Sequence, residues 1–206
     1  MDTDHIETYI HPDTGVAYKV TYWYDIDFGA PDKEFDGHGH ILDMCFDPTD
    51  EEEVQKMVDD GQLTEDFAMR APLMRQIIFN PLNNFAKYYD FVSSINVAMT
   101  EWGCKTSEAA VAAVEQDYKY IHGWYNDMWY WIGITVQRAD EDDPWHETTN
   151  AVGGFESLIF DDQKAKAEVL DDLILDLEHS IKAEQFKDQL TLPLDTAAVV
   201  HLTHYR

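Results

Sequence analysis

Apolar and polar positions alternate from Val16 to Phe28. Tyr18, Val20, Tyr22, Tyr24, Ile26 and Phe28 fall on one face, and Lys19, Thr21, Trp23, Asp25 and Asp27 on the other. A period of two built from aromatic and β-branched residues predicts a strand, which Gly29-Ala30-Pro31 ends. Residues 29–48, rich in Gly, Asp and Pro, read as an irregular loop. The run Asp47-Pro48-Thr49-Asp50-Glu51-Glu52-Glu53 puts acids in a first helical turn, where the helix dipole favours them, and predicts a short helix to about Asp59 with Gly61 as its stop. Arg75–Asn80 reads as a short strand, followed by a turn at Pro81. Asp90 is positioned to cap a helix whose Val92, Ile95, Met99 and Trp102 recur at helical spacing, with Gly103 at its end. Ser107 starts the next helix, with Val111, Val114, Tyr118 and Ile121 as its stripe.

Period two returns over Met128–Arg138. Tyr130, Ile132, Ile134 and Val136 share one face; Trp129, Trp131 and Thr135 share the other, where the two tryptophans are expected to face outward as a partner or homodimer contact. Val152–Phe160 is its expected hairpin partner, with a bend at Gly153-Gly154. The clearest helix runs from Asp161 to about Ala183, with Leu170, Leu173, Ile174, Leu177 and Ile181 as its buried stripe. This order predicts an α+β domain: an antiparallel sheet of about four strands, three main helices on one face, and a short acidic helix. The domain is expected over residues 16–185, after an acidic N-terminal segment (1–15) and before a C-terminal extension (186–206).

Composition changes the picture through charge. The 206 residues carry 41 acids and 14 bases, net −27, yet 45% of them are hydrophobic and 13% aromatic. That apolar content supports a packed core, so the acidity belongs to surfaces and not to a disordered coil. The charge is also uneven. Residues 1–70 hold 19 acids and 4 bases, residues 71–138 hold 6 and 5, and residues 139–206 hold 16 and 5. A near-neutral aromatic middle is flanked by two acidic segments. Such a surface repels nucleic acid and anionic membranes, and no apolar run approaches the ~20 residues of a membrane span. The acidic Met1-Asp2-Thr3-Asp4-His5 start lacks the positive region of an export signal. Two distant cysteines, Cys45 and Cys104, fit a reducing cytoplasm.

Candidate chemistry is sparse. His38 and His40, with Asp36 or Asp43 nearby, are the weak candidates for a metal site; the bland reading is a glycine-permitted turn whose histidines make hydrogen bonds. Asp25 to Asp36 echoes a calcium loop but has Gly29 in a ligand position and Ala30 in place of the required glycine. There is no nucleophile elbow, phosphate-cradling glycine loop or HExxH. The expectation is a protein without catalytic residues or a cofactor.

Three segments together resemble a family of uncharacterised proteins encoded by tailed bacteriophages. They are Asp27–Pro31 with Asp36–Gly39, Tyr88–Phe91 with Trp102-Gly103, and Gly123–Asp127 with Trp129–Gly133. The match covers roughly residues 20–180. The acidic stretch from Asp47 to Asp66 departs from the family pattern as an insertion, and the C-terminal extension is also unshared. The resemblance implies a phage origin and a place in the host bacterial cytoplasm, and it brings no established activity.

Charge and resemblance converge on one expectation, a DNA mimic. Carboxylates on helices and strands copy part of the duplex charge array, and a basic host nucleic-acid-binding protein of restriction, CRISPR or repair type is steered onto them. The chain itself is expected to bind neither nucleic acid nor membrane. The acids expected on the partner-binding surface are Asp25, Asp27, Glu51, Glu52, Glu53, Asp59, Asp60, Asp140, Glu141, Asp142, Asp143, Asp171, Asp172, Asp176 and Glu178. Two other readings stay open: an acidic, solvated or salt-adapted phage accessory protein without mimicry, and a metal-binding protein acting through the Asp36–His40 loop. Ten Lys to four Arg weighs against salt adaptation, which sheds Lys.

Overall fold

Tyr18, Val20 and Tyr22 lie buried on one face of a strand, while Thr21 and Trp23 stay on the other, as a period of two demands. The structure is a computed structural model and describes residues 5–139 and 145–191. Its class is α+β with antiparallel sheets. Where one sheet was expected there are two. The first has the order β1 (His5–Ile10), β2 (Ala17–Tyr24), β6 (Trp131–Arg138), β7 (Thr149–Glu156); the second has the order β3 (His40–Met44), β5 (Phe85–Asp90), β4 (Met74–Asn80). Where a single domain over 16–185 was expected, the described residues form two compact units. One comprises those up to Tyr24 and from Ile132 onward; the other is Asp25–Trp131.

In the first unit β1 turns tightly into β2. His11 N–H donates to Val16 O (3.0 Å) and Gly15 N–H to His11 O (2.9 Å), with Gly15 at φ +68°. β1 lies in the expected acidic segment 1–15, whose first four residues lie outside the described ones. β2 pairs antiparallel with β6, setting Val20 opposite Val136 and Tyr22 opposite Ile134. Helix α6 (Gln163–Thr191) supplies Leu170, Leu173, Ile174, Leu177 and Ile181, which close one core with Tyr18, Val20, Tyr22, Ile132, Ile134 and Val136. Each fully buried Leu or Ile there contributes roughly 1.5–3 kcal/mol. The strand tyrosines keep their hydroxyls bonded. Tyr18 donates to Glu178 (2.9 Å) and Tyr22 to Glu7 (2.6 Å), and Arg138 and Lys166 complete the two sets.

The second unit is built around β5, whose residues Ala86–Asp90 are all buried. β3 and β4 flank it, and β4 carries an irregularity in register between Gln76 and Ile78. Two helices pack on this sheet, α4 (Phe91–Thr100) and α5 (Ser107–Tyr125). Asp90 caps α4 as expected, whereas Thr106, not Ser107, caps α5. On α4 the buried residues are Phe91, Ser94 and Ala98, while Val92 and Met99 are exposed. A helix apolar on nearly every side gives no unique stripe. The loop expected over 29–48 holds the short α1 (Pro31–Glu34) and β3. The acidic helix forms as α2 (Glu51–Asp59), capped by Asp50 and followed by Gly61 at φ +74°. After it comes α3 (Glu65–Arg70), capped by Thr64.

The expected outward-facing tryptophan pair is overturned. Trp129 and Trp131 are each 3% exposed, with ring centroids 5.0 Å apart. Their indole N–H groups donate to Tyr120 O (2.9 Å) and Gly29 O (2.8 Å). They belong to the interior of the second unit and offer no homodimer contact.

Gly133 marks a close approach in the first unit. It sits opposite Trp23 across β2 and β6, and a Cβ there would overlap the Trp23 indole. Gly133→Ala is therefore expected to destabilise the protein by about 1–3 kcal/mol. Adding Trp23→Ala should recover part of that loss, a coupling that a double-mutant cycle in urea measures. Additive losses would rule out the overlap as the cause.

Candidate functional site

The acids predicted to form a partner surface separate sharply once folded. Residues 47–66 hold nine acids and one base. α2 turns Val54 into the core and leaves Glu51, Glu52, Glu53, Gln55, Lys56, Asp59 and Asp60 in solvent. Asp50 fixes its start by accepting from the Glu52 and Glu53 amides, each at 3.1 Å, which satisfies two of the first turn's orphan donors. Three glutamates in that first turn complement the helix dipole. Among the described residues, the only ion pair of this stretch is that of Asp66 with Arg70 at 3.2 Å. The helix pair thus carries a dense array of uncompensated carboxylates on hydrogen-bonded backbone.

The remaining predicted acids fare differently. Asp27, Asp172 and Asp176 are exposed and, among the described residues, form no ion pair. Asp171 accepts from Tyr9 (3.0 Å) and lies near His11. Glu178 accepts from Tyr18 and from Arg138 (3.0 Å), so its charge is compensated. Asp25 is the plain correction. It is 5% exposed, its amide donates to Trp131 O (3.0 Å), and its carboxylate accepts from the Asp27 amide (3.2 Å). Strand alternation put it on a solvent face, but the strand ends at Tyr24 and Asp25 turns into the second unit. Asp140, Glu141, Asp142 and Asp143 lie outside the described residues.

The Asp36–His40 loop leads to a polar centre that the sequence does not announce. His38 Nδ1–H donates to Asp117 Oδ1 at 2.6 Å. Tyr89 O–H and the Gly39 amide donate to Asp117 Oδ2, at 2.6 and 2.8 Å. The His40 amide donates to Ser94 Oγ (2.8 Å), which in turn donates to Asp90 O (2.7 Å). Gly39 is required here, because a Cβ would overlap the Tyr89 hydroxyl and Ser94 Oγ. Burial pushes the Asp117 carboxyl up, but the bonds from His38, Tyr89 and the Gly39 amide more than offset that and hold it below the usual carboxylate range. An ionised carboxylate is acceptor only, which assigns the proton to His38 Nδ1. Burial and the bond to Asp117 push the Tyr89 phenol well up, so it stays a donor.

This centre fastens the 36–40 turn to α5 and β5. His38 stacks on Tyr120, with ring centroids 5.8 Å apart. Asp36 and His40 are exposed; His40 joins the centre through its backbone amide alone. Among the described residues, no group of three or more His, Cys, Asp or Glu side chains is arranged to hold a metal ion. Cys45 and Cys104 are free thiols, and no described helix is long and apolar enough to cross a membrane. Comparisons with protein-family models, curated proteins and solved structures give no match.

Asp117→Asn is expected to destabilise the protein by about 2–4 kcal/mol near neutral pH, because an amide group then faces donors. A depressed carboxyl contributes stability that is complete above its unfolded value, about pH 4, and is lost as pH falls through the native value. Urea unfolding of both proteins should show the gap narrowing below about pH 4. A gap that stays constant into acid would show that Asp117 acts by shape and not by charge.

Proposed function

We propose that the chain is a phage-encoded acidic protein that acts as a DNA mimic in the host bacterial cytoplasm, occupying the DNA site of a basic nucleic-acid-binding protein of restriction, CRISPR or repair type. The observation that carries this reading is the exposed, almost entirely unpaired array over residues 47–66. Residues 50–60 are net −5, or roughly one charge per 3 Å of helix axis. That is about half the charge density of duplex DNA. A coil of the same composition would lose more entropy on docking; a capped helix presents its carboxylates already spaced. The resemblance to tailed-phage proteins supplies a reason for such an array, because a phage gains from disarming host enzymes that act on its DNA. The same resemblance lacks these residues, so the activity would belong to the insertion.

The experiment is capture from a bacterial lysate by the tagged full chain, with duplex DNA as competitor. A DNA-binding protein should be retained and released by DNA. Neutralising Glu51, Glu52, Glu53, Asp59 and Asp60 together as amides should weaken its binding about tenfold or more, given roughly 0.2–1 kcal/mol per exposed pair. Asp172→Asn with Asp176→Asn, on α6, should have a smaller effect. Mimicry is refuted if no nucleic-acid-binding protein is retained, or if the five-fold variant binds it unchanged. A protein that melts at low salt and is rescued only near molar salt would support salt adaptation instead.

A further inference from the structure

A cavity of about 350 Å³ opens beside the acidic helix, between the end of β3, the irregular stretch of β4, β5 and the first turn of α2. Phe46, Phe79 and Tyr88 give it aromatic walls, and Asp47 and Glu53 stand among its lining residues. Its shape and charge have a specific chemistry. Asp47 Oδ1 accepts from the Thr49 amide (2.9 Å), the Thr49 hydroxyl (2.7 Å) and the Tyr88 hydroxyl (3.2 Å). Those bonds fix the carboxylate, and the Thr49 amide leads them in holding it below the usual range. Among the described residues, no donor reaches Asp47 Oδ2, and Glu53 has no cation partner. Burial of Tyr88 pushes its phenol up to about 12, so it remains a donor to Asp47.

A fixed carboxylate with a free oxygen, a second carboxylate, and aromatic walls select against most occupants. An anion is repelled by both acids. A neutral apolar group would strip water from Asp47 Oδ2 without replacing its hydrogen bond. An ammonium satisfies the charge but is strongly hydrated and offers no flat face to an aromatic ring. A guanidinium stacks on aromatic faces, donates in a fork to a carboxylate, and is weakly hydrated. The lining also offers open apolar contact, with Phe79 48% exposed. We infer that this cavity receives an arginine side chain of the basic partner, and that it anchors that partner on the acidic helix. The inference rests on the mimicry reading for its partner, but the cavity's preference for arginine is testable alone. Buried arginines flanked by aromatics are the kind of residue that dominates interface energy, whereas the open carboxylates of α2 mainly steer.

The test is an amide-resolved NMR titration of the full chain with N-acetyl-argininamide and, separately, N-acetyl-lysinamide. The arginine probe should give saturable shifts concentrated at Cys45, Phe46, Asp47, Asn84 and Ala86, and bind several-fold more tightly than the lysine probe. Asp47→Asn and Glu53→Gln should each weaken it about fivefold to tenfold, an effect in keeping with loss of one charge-assisted bond. Glu53 is exposed, so Glu53→Gln keeps the test valid should Asp47→Asn perturb the fold. Non-saturating shifts spread over every acidic surface, equal affinity for the two probes, or indifference to Glu53→Gln would each overturn the proposal. The partner assay separates the two readings. Arginine binding in the cavity with no DNA-binding protein captured refutes mimicry and leaves the cavity standing. Capture at full affinity by Glu53→Gln combined with Phe79→Ser refutes the cavity and leaves mimicry standing.

Discussion

One buried carboxylate organises the second unit. Asp90 is 1% exposed and ends the central strand β5, and it is also the cap of α4, accepting from the Ser93 amide and hydroxyl. Its other partner is Arg70, the last residue of α3, which also donates to Ser93 Oγ (2.6 Å). A single charge pair thus ties strand, helix and the acidic stretch that ends in α3 together. A buried ion pair of this kind adds little net stability relative to apolar packing, but removing one partner is severely destabilising. Its value here is positional: it fixes where the carboxylate-rich segment leaves the core.

The constraint on the rest of the chain is how to carry net −27 without unfolding. The acids that must enter the interior do so with donors. Asp90 has Arg70, Asp117 has His38 and Tyr89, and Glu7, on a strand, has Lys166 and Tyr22. Many of the uncompensated acids go to helix surfaces, where water screens them, and three of them sit at a helix N-terminus that favours negative charge. Buried lysine follows the same rule: Lys87 on the central strand faces Asp43 on β3.

Much of this was legible along the chain where one face contrasts with the other. The α6 stripe from Leu170 to Ile181 and the inner face of β2 and β6 carry alternating polar residues, so period and burial agree. The short acidic helix announced itself through the acids of its first turn and the glycine after it. Legibility failed where contrast is lost or where partners are remote. β5 reads Phe-Ala-Lys-Tyr-Tyr-Asp, and its Lys and Asp hid it because Asp43 and Arg70 lie far away in sequence. β1 turns Glu7 partly inward and leaves Ile6 and Ile10 in solvent, the reverse of the usual pattern. Asp117 is one acid among many, and nothing local marks its reach to His38, 79 residues away. Asp25 failed for a simpler reason: the strand expected to reach Phe28 ends at Tyr24, so the alternation no longer applies at Asp25 and its side chain turns to the interior.

The second unit leaves the first at Tyr24 and returns at Ile132, and those two residues face each other across β2 and β6. This connectivity sets an order of assembly. Pairing β2 with β6 directly in an unfolded chain means closing a loop of everything from Asp25 to Trp131, at an entropic penalty of about 4 kcal/mol before any contact repays it. If the second unit folds first, its own Asp25-to-Trp131 hydrogen bond brings the two ends together, and the four-stranded sheet then closes as a short-range event. On a ribosome, the acidic stretch over residues 47–66 would then be structured before the sheet that flanks it in sequence is complete.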